Sequence, residues 1–456
     1  MIFLRRRLIF WLARAYIKKW GKILTLAFLV GIGIIAILFI SKDYIIAKIP
    51  TPEKTTKIGI AGVVRTSDIP NNLPPIILDK ASRGLTKVSD TGIVLPDVAI
   101  RWEIKDDGKT YVFYLKDDIY FSDGEKLTSE NINYNFADVE VEKPKDEVIV
   151  FRLKDKYSPF LVTLANNKIF KKGNIGVSNY EIIDIEENAG FVDYITLTSL
   201  VDNKNIKYDF YDTQAAVKSA YVLGEVDEII DISDLNYAKK YSFSNFKNSD
   251  TKKNINDEKI VTIFLNNQDG LLSDKKLRKA LAYVLPEKYS EGQRTNTAYK
   301  EAFWANTSPG KYKKDVEYSK LLLEDSPASE GSKLTIELKT LPQYETIARK
   351  VANDWKALGI NTKIEVVAGV PTYYQAFLGE FPVLSDPDQY TLWHSSHDTN
   401  ITKYKNLRID KLLEDGRQVI DLEERQKIYA DFQKYLLDDM PAIFLYFPYT
   451  FTISRK

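Results

Sequence analysis

The chain has no cysteine and only two histidines among its 456 residues. Disulfides, thiolate nucleophiles, Cys-based zinc or iron–sulfur sites and lipid attachment through an N-terminal cysteine are therefore excluded. There is no long block of one charge in the bulk of the chain, no Gly-rich phosphate loop, no nucleophile elbow and no Ser-His-Asp arrangement. No carboxylate pair stands at a spacing that predicts acid–base work. Nothing asks for an enzyme. Internal repeats and low-complexity tracts are also absent.

What is present divides unevenly. The whole carries 64 basic and 63 acidic residues, but Arg5, Arg6, Arg7, Arg14, Lys18, Lys19 and Lys22 stand in the first 22 positions without an acid. The rest therefore holds 57 bases against 63 acids, a net of −6, which argues against a nucleic-acid partner. Ile23–Ile40 (ILTLAFLVGIGIIAILFI) is 18 residues without a charge. That length suits a transmembrane helix, assigned here to residues 23–41. The bases on its N-terminal side put residues 1–22 in the cytoplasm and the remainder outside, with Trp20 and Tyr44 at the two interfaces. A cleaved secretory signal is the other reading, although the small residues around Ala47 lack a clean A-x-A pattern. Residues 42–56, with Pro50 and Pro52, read as a semi-extended tether.

Beyond the tether the length suits two or three compact units. Lys57–Val64, Val148–Leu153, Tyr180–Ile185 and Tyr194–Leu200 read as strands, and Phe210–Gly224 as a helix. Lys247–Glu258 is polar and charged, the pattern of a mobile surface loop. Ile260–Asn267 is a strand, and Ser273-Asp274 cap a helix bearing Leu277, Leu281 and Val284. Strand Leu334–Leu341, a helix lined by Ile347, Val351 and Trp355 up to Gly359, and strand Ile360–Val366 imply a parallel pair with a crossover helix. Asp421-Leu-Glu-Glu424 is a capping box opening a helix buried through Ile428, Phe432, Tyr435 and Leu436.

The stretch Leu95–Phe136 (LPDVAIRWEIKDDGKTYVFYLKDDIYFSDGEKLTSENINYNF) is the most distinctive. Strands around Trp102–Ile104 and Tyr111–Leu115 alternate apolar and polar residues across a turn at Asp106-Asp107-Gly108. A second turn at Ser122-Asp123-Gly124 precedes a hydroxyl-capped helix through Ile132 and Phe136. This ordered run resembles the family 5 extracellular solute-binding proteins, the oligopeptide- and dipeptide-binding class that feeds ABC importers. The same resemblance continues in LNNQDGLLSDKKLRKALAYVL and in ERQKIYADFQKYLLDDMPAIFLYFPY, and covers residues from about Lys57 to Tyr449.

The resemblance implies an α/β, two-lobed periplasmic-binding-protein-like clamp of type II with an extra subdomain. Residues 57–255 would form lobe I with an inserted subdomain at about 76–176, residues 256–435 lobe II, and residues 436–456 the return to lobe I. It implies a ligand held between lobes, an ABC permease as partner, a monomer, and no cofactor. It also points to the DPD loop Leu384–Ser395, where Asp386, Asp388, Gln389, Tyr390, Trp393 and His394 are candidate ligand contacts. Tyr373, and Arg65 just past the first strand, are further candidates; the alternatives are local capping for Asp386 and Asp388, core or surface packing for Tyr373 and a solvated side chain for Arg65. The spacing His394-x-x-His397 can share a helix face and hold zinc or nickel, but a full site needs further carboxylates such as Asp398. Both are read as loop histidines, with His394 alone a ligand contact.

One departure bears on cargo. Peptide binders of the family place an aspartate three residues before the DP pair, against the ligand's α-ammonium group. This chain has Val383 there. Glu380 or Asp388 would have to substitute, or the ligand lacks a free ammonium, as in sugars, blocked peptides and metal chelates. A surface sensor or scaffold that kept the fold without transport is the alternative function.

Overall fold

A computed structural model describes residues 11, 14, 16, 18–21 and 55–456, apart from 239–240, 308–311 and 328–333. The transmembrane assignment at 23–41 and most of the tether lie outside the described residues. Among the described residues no helix is long and apolar enough to cross a membrane. Residues 55–456 form one compact unit.

Its spine is a 12-stranded mixed sheet. From one edge run Tyr180–Asn188, Phe191–Ser199, Asn205–Tyr211, Thr55–Ala61 and Glu228–Ile232; then come Ala442–Arg455, Lys259–Leu265, Ala376–Pro382, Thr335–Thr340 and Asn361–Val366. The first strand, Thr55–Ala61, is parallel to both of its neighbours. At the other end Thr335–Thr340 pairs in parallel with Asn361–Val366, joined by the helix Glu345–Lys356, which is the expected crossover unit. Ile347, Val351 and Trp355 are buried on that helix, and Gly359 ends it at φ +76°. The Trp355 indole N–H donates to the Leu281 carbonyl at 3.0 Å, so the largest buried side chain in that core keeps its polar edge satisfied.

The last strand ties the two ends of the sheet together. Its first part, Ala442–Tyr446, pairs with Lys259–Leu265. Its second part pairs with Glu228–Ile232 on one side and Ser249–Ile255 on the other. Residues 249–255 are thus a strand and not the mobile loop that their polar sequence suggests. Their backbone is paired at every residue with Tyr449–Arg455, while the side chains are largely exposed, so no apolar periodicity marks them.

A separate four-stranded antiparallel sheet, ordered Ala99–Lys105, Thr110–Leu115, Val148–Leu153 and Val139–Lys145, encloses its own aromatic core of Tyr111, Phe113, Phe151 and Phe160. The expected hairpin is present. Asp106, Asp107 and Gly108 take φ of 51°, 54° and 89°, which reverses the chain between Lys105 and Thr110. The helix expected through Ile132 and Phe136 is not. Asn131 turns its side-chain oxygen back to the Thr128 N–H at 2.8 Å, closing a single 3₁₀ turn at Ser129–Asn131. Ile132 then leaves in extended conformation, and Phe136 packs against the sheet from an irregular segment.

The remaining helices keep their caps but shift their bounds. Phe210 belongs to strand Asn205–Tyr211; the helix starts after Thr213, whose hydroxyl accepts from Ala216 N at 3.1 Å, and runs Gln214–Leu223 to Gly224 at φ +86°. Asp274 caps Lys275–Tyr283, and Asp421 caps Leu422–Asp439 through Glu424 N at 2.9 Å. The inner face of this last helix is Arg425, Tyr429, Phe432 and Leu436, which leaves Ile428 and Tyr435 half-buried.

Candidate ligand cleft

Strand Ala376–Pro382 runs out beside Lys259, and the Val383 N–H donates to the Glu258 carbonyl at 2.8 Å, extending the pairing by one residue. The DPD turn follows immediately. Asp386 Oδ1 accepts from Asp388 N at 2.9 Å, the bond that an Asx-type turn makes. Both Asp386 oxygens are also taken by Arg425 of the last helix, at 2.8 and 3.3 Å, and the pair is buried. Arg425 donates further to the Gly416 carbonyl at 3.0 Å. A fork of this kind is a bracing element, and it engages both oxygens of the Asp386 carboxylate within the protein.

Neighbouring residues are committed in the same way. Asp388 Oδ1 accepts from Tyr390 N at 3.0 Å, just before the short helix Tyr390–Trp393, while Oδ2 lies 3.0 Å from Arg417 Nε. Burial raises the Asp388 pKa, with Arg417 opposing the shift. Gln389 accepts from the Trp393 indole at 2.8 Å, and Trp393, 1% exposed, stacks on Phe381 inside the core. Gln389 and Trp393 are therefore scaffold as well, because the indole that was expected to face ligand fills the space beneath the loop.

Tyr390 is different. It lies on the surface of this frame, between the His394 ring at 4.1 Å and the Arg417 guanidinium at 4.4 Å. His394 bonds Ser396 Oγ at 2.8 Å and approaches Glu414 at 3.4 Å. His394 and His397 do not share a helix, which ends at Trp393, and among the described residues no cluster of metal-ligating side chains occurs. Tyr390, Glu414 and Arg417 line a cavity of about 530 Å³ whose opposite wall is Phe136, Tyr157 and Phe160 of the four-stranded region. Ser158, next to Tyr157, bonds across to the helix bearing Arg417, donating through N to Arg417 O at 2.7 Å and through Oγ to Gly416 O at 3.0 Å.

A second cavity, about 420 Å³, opens between an N-terminal wall (Leu78, Asp79, Ser89, Asp90) and a C-terminal wall (Glu258, Lys300, Phe303, Val383). The three residues before the DPD pair, Val383, Leu384 and Ser385, line it, whereas Asp386 onward does not. The walls meet where Trp304 N donates to Thr91 O at 2.9 Å and the Phe303 ring lies over Gly92. Gly92 sits at φ +80°, and a Cβ there would fall 2.0 Å from the ring, so the contact requires glycine. Asp79 pairs with Lys168 at 2.8 Å and Asp257 with Lys300 at 2.7 Å. Partial burial, reinforced by Asp231 and Asp257, raises the Glu258 pKa.

Arg65 and Tyr373 lie outside both cavities. Arg65 is exposed and forms an isolated bridge with Phe191, and Tyr373 is 83% exposed. Tyr374, beside it, is the buried member and donates to the Ile401 carbonyl. Asp90, Glu258, Lys300 and Phe303 were not singled out from sequence. They come from three distant segments, and only the acidic pair Asp257-Glu258 at the end of the polar stretch hinted at them.

This architecture recurs in solved structures. NikZ from Campylobacter jejuni, in complex with Ni(L-His), aligns over 89% of this chain and 94% of its own with a TM-score of 0.72 and 22% identity. The oligopeptide-binding protein AppA from Bacillus subtilis, in complex with a nonapeptide, aligns over 89% and 95% with a TM-score of 0.66 and 19% identity. In sequence, AppA of Bacillus subtilis (strain 168) is 25% identical over 443 residues, 80% of each chain. The dipeptide-binding protein of Escherichia coli (strain K12) is 22% identical over 450 residues, 80% of this chain and 82% of its own. The fold is therefore the two-lobed mixed α/β fold of periplasmic binding proteins. The family model described as "Bacterial extracellular solute-binding proteins, family 5 Middle" matches residues 94–139 and 133–403. A match over that much of the sequence, which includes the hairpin and the DPD loop, makes the chain a member of the family 5 bacterial extracellular solute-binding proteins.

Proposed function

We propose that the protein is a membrane-anchored, extracytoplasmic receptor that captures a peptide-like or other small solute between two lobes and delivers it to an ABC importer. In this reading residues 57–255, with an inserted subdomain at about 76–176, form lobe I, residues 256–435 form lobe II, and residues 436–456 return to lobe I. Residues 23–41 are the anchor, with 1–22 cytoplasmic and 42–56 the tether; the anchored receptor acts as a monomer beside its permease.

The observation that carries the proposal is the cavity of about 420 Å³ between the two walls, whose size falls in the range of small-ligand sites. Its lining is mixed, with Val383, Leu384 and Phe303 supplying apolar area and Asp90, Glu258 and Ser89 supplying polar atoms. The wall-to-wall contacts at Gly92–Phe303 and Ser158–Gly416 are those that would break if the lobes opened about the strands at 228–232 and 442–455. With Val383 in place of a carboxylate, the favoured cargo lacks a free ammonium at that point. Related proteins whose names specify oligopeptide, dipeptide and nickel ligands support capture without fixing the cargo.

The test is native mass spectrometry of the full chain purified from its own host. A co-purifying small solute, released on mild unfolding, is the expected result. Recovery of ligand-free protein only, together with no change in hydrogen exchange at Gly92 and Ser158 across a panel of blocked peptides, sugars and metal chelates, would overturn it and favour the sensor or scaffold reading.

A further inference from the structure

Asp257 and Lys300 line the 420 Å³ cleft, and the same two residues line a second, smaller chamber of about 260 Å³ behind it. Their ion pair, at 2.7 Å, is the feature common to both walls. We propose that this pair is an opening partition and that the chamber behind it is a second subsite, taking the amide-bearing far end of an extended, peptide-like ligand. The inference rests on the capture function proposed above and names the class and length of cargo that the cleft would accept.

Three observations support it. The pair is half-exposed, with side-chain exposures of 34% for Lys300 and 53% for Asp257. Ion pairs in such positions are weak, and the lysine stem has four flexible carbons, so separating the two groups is easy. Next, the chamber lining is mixed, with Ile255, Leu437 and Phe447 supplying apolar area and Asn296 and Thr297 supplying polar atoms. Finally, the buried Oδ1 of Asn296 has no hydrogen-bond partner among the described residues. A buried acceptor left without a donor is costly, and a ligand N–H supplies what it lacks. The charged groups on the chamber wall balance, Asp257 and Glu301 against Arg294 and Lys300, which suits a neutral amide at this end better than an ion.

The absence of cysteine gives a direct test. In the full-length Thr297→Cys protein the only thiol sits on the wall of the second chamber with Asn296 left intact, and its reaction rate with a small maleimide reports access. N-acetyl-dialanine amide and N-acetyl-pentaalanine amide are the probes, with binding followed separately by tryptophan fluorescence. The pentapeptide is expected to slow labelling at least about tenfold and the dipeptide to leave it unchanged, while Lys300→Ala speeds labelling of the free protein. In parallel, Asn296→Leu should weaken the pentapeptide about tenfold and spare the dipeptide, which decides the matter if the cysteine variant misfolds. Pentapeptide binding without protection, or equal loss of both probes in Asn296→Leu, overturns the subsite and leaves capture intact. Failure of both probes to bind while a solute still co-purifies also removes the subsite alone; failure to bind with nothing co-purifying removes capture as well.

Discussion

Val383–Ser385 and Asp386–His394 are consecutive in the chain, yet they do opposite work. The first three residues line the cleft between the walls. Of the next nine, Asp386, Gln389 and Trp393 are turned inward, where Asp386 holds Arg425, Gln389 holds Trp393 and Trp393 fills the core. The more distinctive of the two segments is the one that braces. A motif of acid, proline and aromatic residues marks where a site is built, because those are the residues that fix a loop. The atoms that meet a ligand sit next to it, and their types are free to vary with the cargo.

The sharpest way to break the contrast is to remove the brace. Asp386→Ala leaves the Arg425 guanidinium buried and unpaired, and should destabilise the protein by about 3–5 kcal/mol in urea unfolding. The double variant Asp386→Ala/Arg425→Leu should recover most of that loss; equal instability of the two variants would show that the loop geometry, and not the charge, is what matters. On the cleft side, Gly92→Ala forces a Cβ into the Phe303 ring and should cost about 1–3 kcal/mol, with less cost in a Phe303→Leu background. If the cost is the same in both backgrounds, the clash is not between these walls.

Val383→Asp probes the neighbouring position. It should change stability by about 1 kcal/mol, since Val383 is only partly buried against the core, while shifting preference toward ligands with a free α-ammonium in competition binding. An unchanged preference would place ligand recognition elsewhere in the cleft. The smallest effect concerns acid stability. Asp439 has a lowered pKa although burial acts to raise it, because Lys275, Tyr404 and Asn406 hold its carboxylate. A carboxylate depressed in the folded state contributes stability that is present above the unfolded value near 3.8 and is lost as pH falls through the folded one. Asp439→Asn should therefore flatten the stability–pH curve below about 3.8 and leave the cleft's ligand binding unaltered. An unchanged curve would mean that other carboxylates dominate acid unfolding.

Much of the fold was legible because its signals are local. The Asp106-Asp107-Gly108 reversal, the Thr213, Asp274 and Asp421 caps and the Gly224 and Gly359 stops each depend on residues within a turn of one another. The failures share a cause as well. Ser249–Ile255 becomes a strand because Tyr449–Arg455, nearly 200 residues later, lies alongside it. Residues 132–136 lose their expected helix because Asn131 ends the turn and the sheet core claims Ile132 and Phe136. Among the candidate contacts, Tyr390 reaches a cavity, whereas Asp386, Gln389 and Trp393 are consumed by partners from Arg425 to Phe381 that no spacing reveals.

By itself the sequence determined the family, the alternation of strands and helices, the turns and caps, and the lack of cysteine chemistry. These follow from backbone preference and apolar periodicity, which act over a few residues. Tertiary structure alone decided which side of the DPD turn meets the cleft, why Gly92 must be glycine, and that Asp257 and Lys300 stand between two chambers. Those outcomes depend on which distant surfaces are brought within a hydrogen bond of each other, and packing of the whole chain sets that.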